Sequence, residues 1–145
     1  MQRMTFSTTI DAPKEKIWKT MLDDATYREW TSPFHEGSYA VTDWKVGSKA
    51  LFLTPEGEGM VSRIAEHRPN EFLSIEHVGF VKNGVEDTTS PEVKAWSGAH
   101  ENYTLKDTNG KSTLVIEIDV TENYTKFFEE TWPKALGKLK DAAEK

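Results

Sequence analysis

The chain has 145 residues, a net charge of −6 and no cysteine. Its length suits a single domain, residues 1–145, with one real core. The acidic balance argues against nucleic acid or an anionic membrane surface as partner, and the missing cysteine excludes disulfides, thiolate metal ligands and a cysteine nucleophile.

The first segment, Arg3 to Ile10, alternates. Met4, Phe6, Thr8 and Ile10 share one face, the pattern of a half-buried strand. Asp11-Ala12-Pro13 follows, with Asp11 a candidate helix N-cap and Pro13 at an early helical position. The spacing of Ile17, Trp18, Met21 and Leu22 predicts a helix from about Pro13 to Leu22, and Asp24 can cap a second, Ala25 to Trp30. Tyr39 to Trp44, Ser48 to Thr54, Met60 to His67 and Phe72 to Val81 read as strands parted by turn residues. Lys82 to Gly98 has no clear period and reads as a long loop. Ala99 to Asp107 and Ser112 to Thr121 form a hairpin about Asn109-Gly110. A helix is predicted from about Asn123 to Ala143, where Phe128, Trp132, Leu136 and Leu139 recur at helical spacing. Pro133 predicts a kink near Glu129 to Pro133, or a fresh start there. No apolar run approaches the ~20 residues that span a bilayer, and the opening Met1 to Phe6 lacks a signal peptide's apolar stretch. No membrane insertion and a cytoplasmic location are therefore expected.

Strand, two short helices, about six strands and a long helix make an α+β domain with a curved antiparallel sheet of about seven strands. The last helix is the one element long enough to cover the concave face. A rod on a curved sheet touches it along a line, so a cavity is expected between them. Five Trp, four Tyr and seven Phe in a chain only 37% hydrophobic can fill that core or line that cavity.

Two stretches carry a resemblance. Asp11-Ala12-Pro13, Ile17-Trp18 and Tyr27-x-x-Trp30 resemble the opening of the START/Bet v 1-like (SRPBCC, helix-grip) superfamily. Trp96-x-Gly98-x-x-Glu101-Asn102-Tyr103-Thr104-Leu105, Gly110-x-x-Thr113-Leu114 and Trp132-Pro133-x-Ala135-Leu136-x-x-Leu139-Lys140 resemble one branch of it, the domain related to the activator of the heat-shock protein 90 ATPase. The resemblance implies a helix-grip fold wrapped around the C-terminal helix. It also implies a lipid, isoprenoid, aromatic or polyketide-like ligand. The chaperone activators that name the branch carry a further N-terminal domain for which this chain has no room, so their activity is not carried over. None of the paired acid/base or metal arrangements of catalytic relatives is evident.

His35, His67, His77 and His100 form no metal-binding pattern, and neither a metal nor a cofactor is expected. His77 shares strand parity with Leu73 and Ile75 and should point inward, either as a satisfied core histidine or as a polar contact for a ligand. Glu101 points inward with Tyr103 and must be paired, hydrated or protonated. Within hydrogen-bond reach, His77 and Glu101 could do general acid–base work. Trp30, Phe128 and Trp132 are candidates for the cavity wall, as are Ile75 and Ile116, and Trp96 could act as a lid. Met21, Phe52 and Met60 are core residues by default, with possible lining roles. The expected function is binding of a small hydrophobic or amphipathic molecule. The alternatives are a chaperone-linked protein-interaction module and a cavity-based enzyme such as a cyclase or hydrolase.

Overall fold

The computed structural model describes residues 1–145, with Thr108 described by its backbone alone. Strand β1 (Gln2–Ile10) leads into helices α1 (Lys14–Leu22) and α2 (Asp24–Trp30). Strands β2 (Tyr39–Val41), β3 (Lys49–Leu53), β4 (Gly59–Arg68), β5 (Phe72–Lys82) and β6 (Val85–Asp87) follow, then a short helix, α3 (Pro91–Lys94). The hairpin β7 (Ala99–Thr108) and β8 (Lys111–Val120) precedes a single 3₁₀ turn and the long helix α4 (Thr125–Glu144). The sheet order is β1-β8-β7-β5-β4-β3-β2, with β6 added to β5, and the paired strands are antiparallel. This is the helix-grip α+β fold.

The elements follow from local chemistry. Every second residue of β8 is buried, so Leu114, Ile116, Ile118 and Val120 face α4. Asn109 and Gly110 both take positive φ, 49° and 85°, as the two-residue turn of a tight hairpin requires. The strand read as Tyr39 to Trp44 stops at Val41, and Trp44 takes φ 62°, a left-handed conformation that ends a strand. The His67 ring meets the Trp44 carbonyl through Nδ1 at 2.8 Å, and the Trp18 indole donates to His67 Nε2 at 2.9 Å. That relay ties α1 to the strand edge.

Four details differ from the sequence reading. Pro13, not Asp11, occupies the N-cap of α1, and Asp23, not Asp24, that of α2. Lys82 to Gly98 is not a plain loop. It holds β6, which pairs back onto β5, and α3, capped by the Ser90 side chain. Gly79 permits the first of these, since a Cβ there would lie 2.2 Å from the Asp87 carbonyl oxygen. Helix α4 runs unbroken through Pro133, with no fresh start. Pro133 and Glu129 are both exposed, so water can take the carbonyl that the proline leaves free.

Helix α4 packs on β1, α1 and α2. Its buried residues Ala135, Leu136, Leu139 and Ala143 close that side of the core. Lys140 Nζ donates to the Thr9 carbonyl at 3.0 Å, and the Asp11 amide donates to Glu144 Oε2 at 2.9 Å. Both bonds hold the end of the helix to the end of β1. Among the described residues no helix is long and apolar enough to cross a membrane.

Candidate functional site

At the opposite end of α4 the side chains are large. Phe128 and Trp132 stand between helix and sheet, and Phe34 sits edge-on to both, with ring centroids 6.3 and 4.9 Å away. The space they hold open is a pocket of about 630 Å³. Its wall is mostly apolar: Tyr27 and Trp30 come from α2, Phe52 from β3, Met60 from β4 and Phe80 from β5. The solvent-exposed Lys82, Glu92 and Tyr124 also border the pocket and mark its outer side.

The polar groups inside are concentrated in one chain of contacts. Glu101 of β7 receives two donors. The Tyr103 hydroxyl donates to Glu101 Oε2, and His77 Nε2 lies 3.1 Å from Glu101 Oε1. His77 Nδ1 lies 2.6 Å from the Ser62 hydroxyl oxygen. Both carboxyl oxygens therefore act as acceptors, and both imidazole nitrogens are engaged. Burial pushes the Tyr103 hydroxyl well above its ordinary pKa, and the neighbouring Glu101 charge adds to this. The Tyr27 hydroxyl is pushed up by the same two causes in the same order, so the field of Glu101 reaches the far wall.

Sheet register builds this cluster. His77 pairs with Ala99 and Ile75 with Glu101, so His77 and Glu101 lie diagonally on the same face. Ser62 pairs with His77 in regular register and shares the parity of Met60 and Ile64 along β4, so all three face inward. Just beyond it the register moves from His77 to Gly79, leaving Val78 as an extra residue in β5. That extra residue puts Phe80, opposite Met60, on the inner face. Ser62 is 1% exposed and does not reach the pocket wall, so it can orient His77 but is not placed to attack a pocket-bound molecule.

The structure brings His77, Glu101, Tyr103, Trp96, Phe128, Trp132 and Trp30 onto one wall. Ile75 and Ile116 are corrections. Ile75 lies behind Tyr103 in the closed core, around a minor gap bounded by Met21, Trp44 and Leu73. Ile116 is fully buried, paired with Phe6 and Tyr103, whose rings both pack against Trp132. Parity named their face correctly. It could not say where along that face the helix and its aromatic side chains press down. Phe52 and Met60, core by default in the sequence, are on the wall, and Met21 is core. Tyr27 and Phe34 were missed as wall residues. A Trp-bearing short helix followed by Pro33-Phe34 was the available signal. The Trp96 ring is half-buried on the wall, just past α3. His77 and Glu101, which parity pointed inward without showing that they meet, lie within hydrogen-bond reach of each other. Among the described residues no group of three or more His, Asp or Glu side chains could hold a metal ion.

A curved antiparallel sheet, a gripping C-terminal helix and a pocket between them define a helix-grip domain of the SRPBCC superfamily. Residues 11–144 match the family model described as activator of Hsp90 ATPase homolog 1-like protein, and the chain belongs to that family. Solved structures share the fold at low identity. A protein from Mesorhizobium loti aligns with a TM-score of 0.75 and 17% identity over 97% of this chain and 96% of its own. The Aha1 dimer from Colwellia psychrerythraea gives 0.71 and 21% over 99% and 97%. CalU16 from Micromonospora echinospora gives 0.67 and 17% over 97% and 75%. None of the curated proteins compared matches the chain by sequence.

Proposed function

We propose that this protein binds a small, largely apolar molecule in the pocket under α4. The observation that carries the reading is a space of about 630 Å³ whose largely aromatic lining encloses the His77–Glu101–Tyr103 cluster. Small-molecule sites run about 300–1,000 Å³ and combine apolar lining with a few placed polar groups. Aromatic or polyketide-like compounds suit the flat rings of Trp30, Trp96 and Trp132. The empty interior favours this reading over a surface module that docks a chaperone, which needs no such space. Native mass spectrometry of freshly purified protein tests it, paired with a thermal-shift panel of lipids and polycyclic aromatics. A co-purified mass that organic extraction removes, or a raised Tm with panel members, is the expected result. Protein that carries nothing and that no panel member stabilises overturns it.

The His77–Glu101 contact favours a second reading, an enzyme that moves a proton on the bound molecule. Glu101→Gln should then abolish turnover of a pocket-bound compound while leaving the fold in place. Turnover that survives this change removes the second reading alone.

A further inference from the structure

The floor of the pocket carries information about the head group of its ligand. Glu101 accepts one hydrogen bond at each oxygen, from Tyr103 and from His77, and a carboxylate has capacity for about two more. The donors around it are already committed. The Tyr103 hydroxyl and His77 Nε2 are spent on Glu101, His77 Nδ1 faces Ser62, and the Trp30 indole donates to the Met21 carbonyl at 3.1 Å. The Trp132 indole N–H has no acceptor, but it is shielded from solvent and from the pocket alike. Of the cations, Lys82 is solvent-exposed on the outer side, and Arg3 is paired with Asp119 at 3.0 Å. The inner wall thus offers acceptor capacity and negative charge.

Building on the binding reading above, we infer that the pocket selects apolar molecules bearing a hydrogen-bond donor, an alcohol, phenol or amine, and rejects those ending in a carboxylate. The donor meets the free lone pairs of Glu101, and the Tyr27 hydroxyl on the α2 side can accept or return a hydrogen bond. A ligand carboxylate would meet Glu101 with no inner cation to offset the repulsion. Fatty acids and aromatic acids are therefore excluded, whereas alcohols and amines on the same carbon frame are taken.

Four probes on one ring system test this: pyrenemethanol, pyrenemethylamine, methylpyrene and pyrenecarboxylate, titrated by pyrene fluorescence and thermal shift. Pyrenemethanol and pyrenemethylamine should bind about tenfold or more tightly than methylpyrene, from a hydrogen bond to a charged group. Pyrenecarboxylate should bind more weakly than methylpyrene. Glu101→Gln should level the series, strengthening the acid and weakening the alcohol and amine, with methylpyrene unchanged. A merely structural glutamate would instead shift all four probes together. Should that variant fail to fold, the wild-type order decides, with the neutral alcohol as the critical member. Equal affinities, or tightest binding of the acid, overturn the selectivity and leave the pocket a binding site. If no probe binds or stabilises the protein, the selectivity falls, and the binding reading is decided separately by the co-purified mass and the thermal-shift panel.

Discussion

The two halves of α4 face the same sheet and do opposite things. From Ala135 to Ala143 its inward residues are Ala, Leu, Leu and Ala, and the helix lies close on β1, its last turn tied to the end of that strand by two hydrogen bonds. In the first half, Thr125 to Trp132, the side chains that line the pocket are Phe128 and Trp132, with the buried Thr131 beside them, and they face Phe52, His77 and Glu101 across it. Residue size alone decides which half is core and which is pocket. Small side chains let two backbones approach, and large rigid rings on both walls hold a span open. The closed half carries the stability, and the open half carries the site.

Truncations should separate the halves most clearly. Leu139 is fully buried in the closed half, so Leu139→Ala should cost about 2–5 kcal/mol, read as a lowered midpoint in urea. Phe128 is half-buried and borders existing space, so Phe128→Ala should leave no new sealed cavity and cost about 1 kcal/mol. It should weaken ligand binding far more than it weakens the fold. Equal losses of stability would mean that the two halves are packed alike.

The closed half was the more legible in sequence. Ala135, Leu136, Leu139 and Ala143 fall at helical spacing, and Leu114 to Val120 alternate, so periodicity alone places them face to face. The pocket was legible as far as parity reaches: His77, Glu101 and Tyr103 point where alternation puts them. Their contact depends on strand register, which no single strand encodes. Ser62 has the inward parity of Met60 and Ile64, but its contact with His77 is again a matter of register, and the extra residue in β5 puts Phe80 rather than Gly79 on the inner face. Ile75 and Ile116 share the right face but lie beneath rings that other elements supply. Pro133 misled because the cost of a helix proline depends on which face it occupies, and here that face is solvent.

Alkaline titration sharpens the comparison, because the open half holds the two buried phenols. The folded-state pKa of Tyr103 is raised, so its contribution to stability is complete below the unfolded value of about 10 and is lost as pH climbs above it. Above that point the unfolded chain releases a proton that the native chain keeps. Tyr103→Phe should therefore reduce the fall of stability by about 1 kcal/mol between roughly pH 10 and 11, measured by urea unfolding. An unchanged slope would mean that Tyr103 ionises freely in the native protein. Tyr27→Phe should act in the same direction, since its folded pKa is raised for the same reason.

The smallest effect belongs to the rim. Burial pushes the Asp119 carboxyl up, but the Arg3 side chain and the His100 amide, donating at 3.0 Å, outweigh that and hold it below the usual carboxylate range. A depressed folded-state value contributes stability above the unfolded pKa of about 4, and that contribution is lost as pH falls through the lower folded value. The pair is partly solvated, with Arg3 and Asp119 side chains 46% and 21% exposed, so its worth is about 1 kcal/mol or less. Asp119→Asn should lower the midpoint slightly at neutral pH and not at all near pH 2, with salt shrinking the neutral-pH difference. Because Arg3 joins β1 to β8 beneath the open end of α4, a larger loss would show that the rim, and not only the closed half, holds the sheet together.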